Sequence, residues 1–243
     1  MHKDFDEAVF DPVGSDVHDV FWPAVHRFSG AARRVADYGC GTGRQLPRLA
    51  RGFDEVVGYD FAPKLLRVAR ERVRGVENVR VARADLRKRF GARGWFDLGV
   101  CVNAWIMPSH DDRSAALRHI RATLAPGAHL ILVIPSLEAA LYANTQLIEW
   151  NRRSGLRGRA LFQEGLATTS EASKDLMHGV IDLAGSRTKH FLREEALATL
   201  AAARFEVMHE ARVEYPWSAY FDRPPRWLHP PGPWDWMFVA RRC

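Results

Sequence analysis

Cysteine is scarce in this 243-residue chain. Its three copies, Cys40, Cys101 and Cys243, have neither the parity of a disulfide framework nor the close spacing of a metal site. Cys40 and Cys101 fall beside expected strands, where a small apolar thiol packs well. The histidines His2, His18, His26 and His229 are scattered without an H-x-x-x-H pair, so no metal is expected. No run of 18 apolar residues occurs, which excludes a membrane-spanning helix of ordinary length. An apolar signal region is also missing from the start, where Asp4, Asp6 and Glu7 stand, and a cytoplasmic location is the expectation. Lysine is rare as well, five residues against 30 arginines within a net charge of +6. An Arg bias attracts polyanions, but it equally follows from a GC-rich genome. The arginines are spread along helices, as Arg67, Arg70, Arg72 and Arg74 around Leu65, Leu66, Ala69 and Val73 illustrate. No basic patch interleaved with aromatics stands out, which disfavours nucleic acid as a partner.

The most informative stretch runs from Val35 to Leu46. It begins as a strand, carries Asp37, turns through Gly39, Gly41 and Gly43, and enters a helix. Glycines there tolerate positive φ and let a ligand approach the backbone, and the helix start offers unpaired N–H groups. Such a turn at the carboxyl edge of a parallel sheet makes a nucleotide-type site. The dinucleotide fingerprint needs a third glycine where Arg44 stands, so the pattern is D-x-G-x-G-x-G instead.

Further segments follow in order. Glu55 to Asp60 reads as a second strand, and Asp60, 17 residues beyond Gly43, is placed to accept both hydroxyls of a ribose, with Phe61 beside it. Asn78 to Ala82 is a short strand leading to Asp85, suited to an adenine amino group, and Leu86, suited to the ring. Trp95 to Asn103 is a fourth strand, and Leu124 to Pro135 a Pro-Gly turn into a buried apolar run. Together these resemble the motifs of the class I S-adenosylmethionine-dependent methyltransferases, with Ala128 where the second glycine of the family's "LkPGG" segment is usual. The resemblance spans residues 35 to 135. It implies S-adenosylmethionine as cofactor, held by Asp37, Gly39, Gly41, Gly43, Asp60, Phe61, Asp85, Leu86, Cys101 and Asn103. It also implies a Rossmann-like α/β fold: a seven-stranded, mainly parallel sheet ordered 3-2-1-4-5-7-6, helices on both faces, and the last strand antiparallel.

One methyltransferase domain over 1–243 is expected. An N-terminal helical segment (1–34, with Val17 to Phe28 at helical spacing around Pro23) precedes the cofactor-binding core (35–135). An insertion (136–192) and a closing helix and hairpin (193–243) follow. The connection from Tyr215 to Trp236 holds six of the 13 prolines and four of the eight tryptophans, far more than a hairpin needs. In the helix from Leu137 to Arg152, Tyr142 and Trp150 fall off the apolar stripe. Trp105, Tyr142, Trp150, Trp217 and Tyr220 are therefore the candidate walls of an acceptor pocket beyond Asn103, although the same residues suit a homodimer interface.

Methyl transfer from a sulfonium is an in-line displacement in which the protein mainly aligns donor and acceptor. A base is required when the acceptor starts protonated, and His190 is the candidate, with Asn103 at the reacting end of strand 4. The sequence Asn103-Ala104-Trp105-Ile106 lacks the prolines of the [D/N]-P-P-[Y/F] motif of nucleic-acid amino-methyltransferases, so amine specificity does not carry over from that motif. Three functions stay open: a small-molecule methyltransferase, which the aromatic segments favour, an RNA or protein methyltransferase, or a non-catalytic cofactor-binding partner.

Overall fold

Strands and helices alternate through the first half of the chain, and that alternation produces a sheet of parallel neighbours with crossover helices. The computed structural model describes residues 12–162, 174–183, 186–221 and 223–243. Strands β1 (Arg34–Tyr38), β2 (Glu55–Asp60), β3 (Val79–Arg83), β4 (Phe96–Val102) and β5 (Leu124–Pro135) are all mutually parallel. Three short strands, β6 (Lys174–Asp175), β7 (Val180–Leu183) and β8 (Ser186–Lys189), form a separate antiparallel sheet within the expected insertion. The chain then returns through β9 (Phe205–Glu214) and β10 (Trp234–Arg242). The large sheet has the order β3-β2-β1-β4-β5-β10-β9, and β10 runs antiparallel to both its neighbours. Order and direction agree with the sequence expectation.

Helices cover both faces. On one side lie α1 (Phe21–His26), α2 (Leu46–Leu49) and α3 (Pro63–Arg72), whose Phe21, Leu46 and Leu66 pack with Val35, Val100 and Met237. On the other lie α4 (His110–Thr123), α5 (Leu137–Arg153) and α6 (Arg193–Ala202), whose Leu117, Ala139 and Leu200 pack with Leu130, Trp236 and Phe238. Burying side chains of this size contributes about 1.5–3 kcal/mol each. Helices α4 and α5 start where Ser109 and Ser136 accept the amides of Asp112 and Ala139. Glu138 locks α5 in place by accepting the Arg193 amide and the Trp236 indole N–H.

Three features differ from expectation. The N-terminal helix is only six residues long. Asp16 accepts the amides of His18 and Val20 and Asp19 has φ 45°, so a turn replaces the helix before Phe21. The helix after the glycine turn is a single turn, α2, with too few aligned peptides to focus much dipole on a ligand. Strand β10 begins at Trp234, two residues before the expected limit, and so brings Asp235 into the sheet opposite Pro135. Among the described residues, no helix is long and apolar enough to cross a membrane.

Candidate active site

The carboxyl ends of β1, β2 and β4 converge on the glycine turn. Gly39, Gly41 and Gly43 have φ of 80°, 54° and 74°, the left-handed region in which a side chain is strained. A Cβ on Gly39 would run into the Ala104 methyl, so the turn leans directly on the segment that leaves β4. A Cβ on Gly41 would meet open space, as expected where a ligand lies along the backbone. Asp60, at the end of β2, accepts the Gly41 amide at 3.0 Å and the Ala62 amide at 2.8 Å. It thus ties the turn to β2 and faces the same crevice. Phe61 beside it is 67% exposed, an unusual position for a free phenyl ring.

Asp37 lies in β1 directly before the turn. It is buried, its Oδ2 has no hydrogen-bond partner, and burial together with the Asp60 charge raises its pKa to about 7. Asn103 follows β4 with φ 48°. Its amide N–H donates to Val133 O, its Nδ2 donates to Asp235 Oδ2 at 2.8 Å, and its Oδ1 is also buried without a partner. Two acceptors deprived of donors flank the glycine turn. A buried acceptor left in this state costs about 1–3 kcal/mol, a cost that a cationic N–H donor in the crevice removes.

Several expected site residues are placed elsewhere. Leu86 is buried among core side chains, and Phe61 is the exposed apolar surface beside Asp60. Asp85 is held by Arg87 through both carboxylate oxygens at 2.9 and 2.8 Å, and this pairing lowers its pKa. Cys101 is fully buried in the core, where burial pushes its thiol up to about 12, and it presents no surface to a ligand. Trp105, with 0% exposure, is no pocket wall. It stacks on Phe191 at 4.8 Å and donates its indole N–H to Arg113 O. His190 donates its amide to Gly179 O and its ring Nδ1 lies 3.2 Å from Thr188 O. Burial lowers its pKa to about 4, so it is neutral at physiological pH and a weak base.

The other aromatic candidates do come together. Helix α7 (Trp217–Tyr220) lies inside the long connection between β9 and β10. Tyr142 of α5 stands 5.7 Å from Trp217 and 6.2 Å from Trp234, Trp150 stands 5.6 Å from Phe221, and Trp217 stacks on Phe221 at 5.7 Å. Trp217 also donates its indole N–H to His229 O, which fixes the fold of the connection. Tyr220 is 48% exposed, yet its hydroxyl end sits deep enough that burial and the nearby Asp235 push the phenol upward.

Asp235 escaped the sequence reading. Tyr215 donates its hydroxyl to Asp235 Oδ2 at 2.7 Å, and Asn103 donates to the same oxygen. Burial is the main reason its carboxyl is raised, and the two hydrogen bonds oppose the shift. The available signal was an acid among the tryptophans of an otherwise apolar segment, Trp234-Asp235-Trp236.

Residues 35–127 match the family model of a methyltransferase domain. The matched stretch is the cofactor-binding core, and it supports a class I S-adenosylmethionine-dependent methyltransferase. Solved structures agree on the fold. An S-adenosylmethionine-dependent methyltransferase from Mesorhizobium loti is similar at 22% identity, covering 91% of this chain and 97% of its own, with a TM-score of 0.63. S-adenosylmethionine-bound CalS10, an amino pentose methyltransferase from Micromonospora echinaspora, is similar at 24% identity, covering 100% and 98%, with a TM-score of 0.56. The [4+2]-cyclase SpnF matches at 17% identity over 91% and 80%, with a TM-score of 0.57. No curated protein matches at the level of sequence.

S-adenosylmethionine fits the residues present in this methyltransferase. Its α-ammonium would meet the need of the unpartnered Asp37 and Asn103 oxygens, Asp60 would take its ribose hydroxyls, and the exposed Phe61 would take its adenine. When bound, the cofactor supplies a methyl group activated by a sulfonium.

Proposed function

We propose that this methyltransferase acts on a small-molecule acceptor held between the Asn103 turn and the aromatic connection. The observation that carries the reading is the Asn103–Asp235–Tyr215 chain of hydrogen bonds. It ties the segment against which the glycine turn leans to the connection containing Tyr142's neighbour Trp217 and the inward hydroxyl of Tyr220. An acceptor in that position lies within reach of the cofactor's methionine end while aromatic side chains exclude water.

In this reading Asp37, Gly39, Gly41 and Asp60 bind and orient the cofactor. Asn103 fixes the boundary between the two ligands, and Tyr142, Trp150, Trp217 and Tyr220 contact the acceptor. Alignment of two bound reactants supplies much of the rate enhancement in such a displacement. The amino pentose acceptor of CalS10 indicates that a chain of this fold can serve a small polar compound. The test is transfer of labelled methyl from S-adenosylmethionine into fractionated cell extract. Label in compounds below about 1 kDa, a size that an enclosed pocket admits, supports the reading, and label confined to RNA or protein overturns it.

A further inference from the structure

Resting on the small-molecule reading, one further group defines the acceptor's chemistry. Asp235 is buried at the carboxyl edge of the sheet, one residue into β10 and opposite Pro135 at the end of β5. Its Oδ2 is engaged by Tyr215 and Asn103, while its Oδ1 accepts no hydrogen bond among the described residues. The groups that face it are Tyr215 from the connection just after β9, Tyr220 from α7 and the Asn103 amide from the turn after β4. All are neutral, and Asp16 of the N-terminal turn acts on Tyr215. Among the described residues no Arg, Lys or His pairs with Asp235. Buried carboxylates are normally neutralised by a cation or a metal, and the described residues contain no cluster able to hold a metal.

We propose that the missing cation is the acceptor itself, an amine whose nitrogen docks on Asp235 Oδ1 and leaves its proton there.

The aromatic surroundings suit the same ligand, since a desolvated ammonium is attracted to ring faces. Charge separation is unfavourable in a buried site, so the pair shifts toward a neutral amine and a protonated Asp235, and the neutral amine is the nucleophile. The raised carboxyl makes the acid a better proton acceptor than a surface aspartate. In the transfer the nitrogen–carbon bond forms as the carbon–sulfur bond breaks, with its electron pair going to sulfur. The nitrogen's proton resides on Asp235. Tyr215 and Asn103 are positioning residues that fix the second carboxylate oxygen.

The test uses the full-length protein loaded with S-adenosylhomocysteine and carrying ¹³C-labelled aspartate carboxyls. Benzylammonium and its neutral analogue benzyl alcohol are the probes, and binding is followed on the tryptophan indoles. Benzylammonium should hand its proton to Asp235 and so raise the carboxyl's midpoint by about one pH unit or more, and benzyl alcohol should leave it in place. Asp235→Asn should weaken benzylammonium at least tenfold while cofactor affinity by calorimetry stays within twofold. If the indoles respond equally to both probes and the midpoint does not move, the amine assignment falls and the small-molecule pocket stands. If neither probe disturbs the indoles or the midpoint, both fall. Tyr215→Phe provides a second check: loss of one donor should raise the midpoint further, and an unchanged midpoint would remove Tyr215 from the site.

Discussion

Asp60 reaches Gly41 across 19 residues of chain, whereas Asn103 reaches Asp235 across 132. The first belongs to a half in which strand, glycine turn and acid follow one another closely, so each element presets the next. The second belongs to a half assembled from the turn after β4, α5 and the connection into β10, which meet only once the sheet is complete. The glycine-turn half proposed for the cofactor is thus a local product of the chain, and the half proposed for the acceptor is a product of its tertiary structure.

The sharpest way to break that comparison is Gly39→Val. The new side chain collides with Ala104 and forces a β-branched residue to φ 80°. Overpacking and left-handed strain each cost about 1–3 kcal/mol, so S-adenosylmethionine affinity should fall by about a hundredfold or more. Near-native affinity by calorimetry would show that the turn does not depend on Ala104.

Asp60→Ala comes next. Losing a charged hydrogen bond to the ribose, and the tie to the Gly41 amide, should cost about 1.5–3 kcal/mol, or roughly tenfold to a hundredfold in affinity. Unchanged calorimetric affinity would remove Asp60 from the cofactor half.

Asp37 gives a pH signature. Its folded carboxyl, at about 7, lies above the usual aspartate range. Its contribution to stability is therefore full below the unfolded value near 4 and is lost as pH rises through 7. The cofactor's ammonium favours the charged form, so affinity should fall about tenfold per unit as pH drops below 7. Asp37→Asn should flatten that slope and stabilise the unliganded protein at pH 8 in urea titrations. A slope surviving the substitution would assign the proton elsewhere.

The smallest effect tests the acceptor half alone. Trp217→Phe keeps a ring against Tyr142 and Phe221 but loses the bond to His229 O. A single neutral hydrogen bond contributes about 0.5–1.5 kcal/mol, so the acceptor's KM should rise by roughly threefold to tenfold while cofactor affinity is unchanged. A matching loss of cofactor affinity would mean the halves are not separable.

Much of the fold was legible because strand ends are written locally: Glu55–Asp60 is the strand its residues indicate, and the apolar run ending at Pro135 is in β5, although that strand already starts at Leu124 and takes in the expected Pro-Gly turn. Asp97 of β4 accepts the Arg33 and Arg34 amides and so anchors the start of β1. Misplaced residues failed for one reason. Leu86, Cys101 and Trp105 stand beside functional positions in sequence, but the direction of each side chain is set by packing. Asp235 was hidden because the start of β10 is fixed by pairing with β5 and β9, not by its own residues. Read as part of a loop, it had no visible partner.

The inner position of β10 has a consequence for how this protein is made. All six other strands of the large sheet precede it in the chain, yet it fills the gap between β5 and β9. While the ribosome is still delivering residues 215–233, β5 has an open edge and β9 has no neighbour to pair with. The glycine turn and its acid can assemble in that interval, but the Asn103–Asp235 contact cannot. Contacts of such long sequence separation form late, so a nascent chain acquires its cofactor half first and closes its acceptor half when β10 slides into place.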